Sequence, residues 1–103
     1  MARYRVRATA AARLDEIAAY SRSRWGREQA AVYIDGLFEH FDAIANRRVP
    51  WTRISVAFGV DGYRGTWGSH VIYWKERPYG VAIISVLHKR MDQVARLRDD
   101  LRG

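Results

Sequence analysis

Few side chains in this sequence could move a proton or grip an anion, and most of those fall in two short stretches. Arg64 stands on a predicted strand and His70 opens the next. His88, Lys89 and Arg90 lie where the last predicted strand meets the final helix. Such a set could cleave RNA without a metal. A base removes the 2′-hydroxyl proton, cations stabilise the phosphorane, and an acid protonates the leaving oxygen. Histidine titrates near neutrality and suits both proton transfers. Each residue also has a structural reading. His70, directly after a turn, reads as a hydrogen-bonded turn residue. His88 precedes a helix whose first turn contains Asp92 and would hold that junction. His40 falls on the acidic face of the second helix and reads as solvated. Arg64 is divided between binding and an ion pair with a helix acid.

The absence of cysteine excludes a disulfide scaffold, a thiol nucleophile and Cys-based zinc or iron–sulfur sites. The three histidines match no metal-ligand spacing, so neither metal nor cofactor is expected. Four tryptophans must be placed. Trp25 and Trp74 read as core. Trp51, after Pro50, and Trp67, beside Gly68-Ser69, read as exposed, and with Arg53 and Arg64 they could stack bases or anchor a protein.

Eighteen Lys+Arg against eleven Asp+Glu give a net charge of +7 and a pI near 10.4. All but two of those cations are Arg, which favours phosphate or carboxylate partners. The charge is uneven. Residues 1–26 carry +4, 27–46 carry −3, 47–68 and 69–90 carry +3 each, and 91–103 are neutral. A basic surface centred on strands thus stands beside an acidic helix. Nucleic acid, an anionic membrane and an acidic protein segment are the candidate partners. No apolar run approaches the roughly 18 residues of a membrane span. The Arg3/Arg5/Arg7 start has no apolar core of a secretory signal, so a cytoplasmic protein is expected.

These residues need elements to position them, and 103 residues provide one domain, 1–103. Residues 2–7 alternate strictly, with Tyr4 and Val6 on one side and three Arg on the other, as on a solvated edge strand. Thr9 is the expected N-cap of a helix carrying Leu14, Ile17, Ala18, Ser21 and Trp25 on one face. Gly26 ends it. A second helix, Arg27 to Asn46, stripes Ala30, Tyr33, Ile34, Leu37, Phe41, Ile44 and Ala45, and so short a connection makes an antiparallel hairpin. Residues 47–61 are irregular, with Ile54 to Phe58 a short strand or a loop anchored by Phe58. Tyr63–Trp67, His70–Lys75 and Val81–Leu87 are strands joined at Gly68-Ser69 and at Arg77-Pro78-Tyr79-Gly80. Met91 to Leu101 closes the chain as a helix with Val94 and Leu97 inward and Leu101 extending that stripe. The fold class is α+β: N-terminal strand, antiparallel helical hairpin on one face of an antiparallel meander, and short C-terminal helix.

Three motifs in this order resemble the ParE toxins of the ParE/RelE superfamily of type II toxin–antitoxin systems. They are Tyr20 with Arg24-Trp25-Gly26 and Gln29-Ala30; Tyr63-Arg64 with Gly68 to Tyr73; and Val86 to Asp92. The resemblance spans about Arg3 to Leu97. It implies the same architecture and a non-enzymatic toxin that inhibits DNA gyrase by trapping its cleaved-DNA complex. It also implies neutralisation by a ParD-like antitoxin, which binds operator DNA through its own N-terminal part and wraps an often acidic segment around the toxin. RelE relatives on the same fold cleave mRNA in the ribosome, and a non-toxic co-repressor is a further alternative. The C-terminal helix here has no Tyr, Lys or His, which speaks against the nuclease. Many ParE relatives carry an Arg where this chain has Ser85.

On that resemblance, gyrase is expected to meet His88, Arg90, Met91 and Asp92, with Arg64 a second contact. The antitoxin is expected on the helical hairpin and basic sheet edge, at Tyr20, Trp25 and Tyr33. Those two surfaces are expected to be separable by mutation.

Overall fold

A computed structural model describes residues 3–59 and 61–102. The elements are β1 (Arg3–Val6), α1 (Ala8–Trp25), α2 (Arg27–Ala45), β2 (Thr52–Arg53), a 3-10 turn (Val56–Phe58), β3 (Tyr63–Trp67), β4 (His70–Arg77), β5 (Gly80–His88) and α3 (Gln93–Arg102). Ala2, assigned to the first strand, lies outside the described residues, as does the side chain of Leu101 on the closing helix. The five strands form one sheet in the order β1-β5-β4-β3-β2. β3, β4 and β5 are the expected antiparallel meander, while β1 adds in parallel to β5, with Tyr4 opposite Val81 and Val6 opposite Ile83. Arg3 and Arg5 point to solvent from this edge strand, as their alternation required.

Both sheet faces are covered. The α1–α2 hairpin packs Leu14, Ile17, Leu37, Phe41 and Ile44 against Ile72, Trp74, Ile83 and Val86. On the opposite face Leu97 of α3, with Ile54 and the half-buried Phe58, covers Val71, Tyr73, Ile84 and Leu87. The Ile54–Phe58 stretch is therefore a loop pinned by two apolar side chains. β2 is confined to Thr52–Arg53, opposite Arg64 and Tyr63.

Gly26 lies at φ 89° and ends α1 while starting α2, so the chain reverses within one residue. Arg7 rather than Thr9 occupies the N-cap position of α1, without a side-chain cap. The Thr9 hydroxyl instead donates to the Ile84 carbonyl at 2.9 Å. Tyr73 faces Ser85 and Trp74 faces Ile83, so Ile84 is the extra residue of a bulge in β5. Thr9 satisfies a carbonyl that the bulge takes out of the β4 register. A glycine inside a helix costs about 1 kcal/mol relative to alanine, and Gly36 has a packing reason. A Cβ there would lie 2.5 Å from Cζ2 of Trp67, so only glycine lets the β3 indole approach α2 this closely.

Candidate functional site

His70 starts β4 and His88 ends β5, and the antiparallel register places them opposite each other. Their rings meet edge to face with centroids 5.3 Å apart. Above them stands α1, and between helix and strands runs a groove of two adjoining hollows, about 390 and 340 Å³. His70, His88, Tyr20 and Arg90 line both hollows. Met91 and Ile17 wall one end, and Trp25 and Arg24 the other. Tyr20, Trp25 and Met91 are 58%, 49% and 37% exposed. The groove thus has an apolar and aromatic wall with guanidinium groups on its rim.

Trp25 is not core, contrary to its placement from spacing. The α1 face that buries Leu14, Ile17 and Ser21 carries Trp25 to the hairpin tip, where the helix has run past the sheet. There it joins a chain of rings. Tyr20 and Trp25 are 6.3 Å apart, Trp25 and Tyr33 6.1 Å, and Tyr33 and Trp67 4.7 Å. Trp67 is half-buried rather than exposed, because Gly36 and Tyr33 hold its indole. His40 is also half-buried, its ring 6.3 Å from that of Trp67, and burial pushes its pKa down. Trp74 is core and Trp51 is exposed, both as expected.

His70 is only 8% exposed, and its Nδ1 lies 2.6 Å from the Tyr33 hydroxyl. Ser69 N–H donates to the same hydroxyl at 3.2 Å. Every group is satisfied when Tyr33 O–H donates to an unprotonated Nδ1. Burial, and then the charges of His88 and Lys89, lower the His70 pKa to about 4, so the ring is neutral at pH 7. Burial also raises the Tyr33 pKa. Tyr33 therefore props the groove floor, and Tyr20 and Trp25 offer the exposed rings.

His88 does hold the strand–helix junction, but with different partners from the Asp92 contact its position suggested. Its Nδ1 accepts Arg90 N–H at 3.1 Å, and its carbonyl accepts the Gln93 amide at 2.7 Å. Asp92 caps α3, Oδ1 accepting Ala95 N–H at 3.2 Å. Gln93 accepts the buried Tyr73 hydroxyl at 2.7 Å and donates to the Met91 carbonyl at 3.1 Å. It thereby fixes the turn that presents Arg90 and Met91. A glutamine gives no sequence signal for such a role.

Arg64 does not join this groove. It stands opposite Tyr73, on the α3 side of the sheet, whereas His70 and His88 face the α1 side. Its positive charge opposes the rise that burial imposes on the Tyr73 phenol. Arg64 and the two histidines are thus not assembled on one surface. The sheet separates Arg64 from the two histidines, whereas Lys89 and Arg90 line the groove with them, and His70 has its Nδ1 engaged. Among the described residues no group of three or more His, Cys, Asp and Glu is arranged to hold a metal. No described helix is long and apolar enough to cross a membrane.

A second polar cluster escaped the sequence reading. Arg13 of α1 grips Asp100 of α3 through Nε at 3.1 Å and Nη2 at 2.9 Å, and also pairs with Glu16 at 3.2 Å. The Ser85 hydroxyl donates to the same Asp100 carboxylate. The aspartate raises the Arg13 pKa further. Ser85 is wholly buried, so its hydroxyl serves to tie the last strand to the closing helix.

Residues 4–93 match the family described as ParE toxin of type II toxin-antitoxin system, parDE. The chain is also similar to Toxin ParE1 of Caulobacter vibrioides, with 38% identity over 98 residues that cover 91% of this chain and 96% of that protein.

Proposed function

The chain belongs to the ParE toxin family of type II toxin–antitoxin systems, and from that premise we propose that it inhibits DNA gyrase by trapping the cleaved-DNA complex and is neutralised by a ParD-like antitoxin. The observation that supports a definite surface is the groove between α1 and the β4/β5 ends. It gathers His88, Arg90 and Met91, named for the target, with Tyr20 and Trp25, named for the antitoxin. Asp92 shapes its rim by capping α3. Arg64 lies on the other face of the sheet, opposite Tyr73, and is not a groove contact. A groove with apolar walls and Arg24, Lys89 and Arg90 around it suits an acidic, amphipathic protein segment. The antitoxin's own DNA-binding part would reach operator DNA, with the toxin carried along.

The test is gyrase supercoiling, with linear DNA scored, on addition of the antitoxin-free full chain. Inhibition with accumulated linear DNA, reversed by antitoxin and lost in Arg90→Ala/Met91→Ala, is the expected result. Folded protein without effect on gyrase, but cutting transcripts on expression, would replace this reading with the ribosome-dependent endonuclease. Harmless expression with altered operator affinity would replace it with the co-repressor.

A further inference from the structure

β4 runs from the groove at His70 to Arg77, so its two ends are separated by about 23 Å at 3.3 Å per residue. At the Arg77 end lies a second concavity of about 470 Å³, between the end of α2, the β4–β5 turn and the loop before β2. That lies within the roughly 300–1,000 Å³ of ordinary ligand pockets. Trp51, 59% exposed, forms one wall and stands edge-on to Tyr63 at 4.9 Å. Tyr79 lines the far side, with the Arg5 guanidinium 4.4 Å over its ring. Arg47 and Arg77 line the cleft, and Arg53 lies beside it, 6.0 Å from the Tyr63 ring. The lining acid, Glu76, is paired to Arg47 at 3.1 Å. Nothing argued for the toxin groove uses these residues.

We propose that this cleft binds single-stranded nucleic acid, with a base stacked on Trp51 and phosphates held by Arg47, Arg77 and Arg53. Interleaved rings and guanidinium groups are the chemistry of such sites. Each base offers a π face, and each planar, permanently charged fork can bind two phosphate oxygens. An acidic peptide without apolar side chains would use the cations but leave the exposed indole idle. A duplex, with its bases stacked inside, would leave it idle too. The site does not depend on gyrase being the target.

Fluorescence anisotropy of labelled oligo-dT, oligo-U and a DNA duplex, titrated with the full chain over graded salt, tests it. Both single strands should bind and the duplex should bind more weakly, while the dT/U comparison reports any preference between DNA and RNA. Trp51→Ala should weaken single-strand binding roughly 5- to 160-fold, the loss of one base–aromatic stack, and Trp51→Phe should restore most of it. Arg47→Gln/Arg77→Gln should lower the slope of log K against log salt by about 1.4, at about 0.7 per phosphate contact. The charge-matched Arg24→Gln/Arg90→Gln variant in the groove should change binding much less. Three results would each overturn the assignment. They are no single-strand binding at low salt, equal loss from both Arg pairs, and Trp51→Ala binding like wild type. A poly-glutamate peptide that binds wild type and Trp51→Ala alike and displaces the oligonucleotide would make the cleft a cation patch for acidic protein, and would also overturn it.

Discussion

Burial behind Tyr33 and the β3–β4 turn holds His70 neutral, with its pKa lowered to about 4. In the unfolded chain the same ring titrates near 6.5. Between those values the unfolded chain takes up a proton that the native chain does not, so stability is complete above pH 6.5 and falls as pH drops toward 4. One pKa unit corresponds to about 1.4 kcal/mol. Allowing for remaining solvent contact, this residue should account for a loss of about 2 kcal/mol across that window. Urea denaturation at pH 7.5, 6 and 5 should show a shallower decline for His70→Gln than for wild type. His40, whose pKa burial also lowers, contributes the same sign to both proteins and drops out of the comparison. Parallel declines would show that His70 is not the source. Tyr33→Phe should cost about 1–3 kcal/mol at pH 7.5, because Nδ1 of His70 and Ser69 N–H both lose their recorded partner.

The closing helix α3 shows how one element is held and what removing it means. Leu97 is fully buried over Leu87 and Ile84, and Asp100 is locked to Arg13 and Ser85. Cutting the chain before Met91 would uncover that sheet face as well as remove the groove rim, so such a truncation tests folding before it tests toxicity. A sharper probe is Asp100→Ala, which leaves Arg13, at 14% side-chain exposure, with only the exposed Glu16 as partner and takes the acceptor from Ser85, and should cost roughly 2–3 kcal/mol in denaturant unfolding. The paired change Arg13→Met/Asp100→Leu should recover part of it, since apolar replacement of a buried ion pair is often near neutral while the Ser85 hydroxyl still lacks its acceptor. If the double variant is as unstable as the single, the salt bridge is not what Asp100 contributes. Of this architecture, the hairpin, the meander and α3 were readable, because apolar spacing and glycine turns are local signals. The parallel pairing of β1 with β5 was not, since alternation in residues 3–6 carries no information about a partner 77 residues away. The side of the sheet that Arg64 faces was likewise invisible, because it depends on the register of β3 with β4. The Arg13–Asp100 contact joins positions 87 apart, and no local pattern marks either residue.

At the scale of the molecule, two cation-lined concavities lie at opposite ends of β4, and they differ in kind. The cleft beside Trp51 is rich in guanidinium and polar, whereas the groove beside α1 is apolar with a cationic rim. The groove also changes an expectation about neutralisation. Tyr20 and Trp25 share walls and floor with His88, Arg90 and Met91, so a segment seated on the first pair occupies the space the second set needs. An antitoxin bound there would act by exclusion, and mutations would not separate the two partners cleanly. Met91→Glu sets a carboxylate against any acidic segment entering the groove, at a side chain exposed enough to spare the fold. It should therefore weaken antitoxin binding and abolish gyrase inhibition together, with thermal stability unchanged. Trp25→Ala removes an exposed aromatic anchor, and a loss of at least about 2 kcal/mol in antitoxin affinity is expected if it is a central contact. The deciding measurement is order of addition. Toxin loaded first onto gyrase–DNA should resist antitoxin until it dissociates, so the rate of rescue should plateau at high antitoxin concentration. Rescue that accelerates without limit as antitoxin is raised would mean that antitoxin engages target-bound toxin elsewhere, and the shared groove would be excluded.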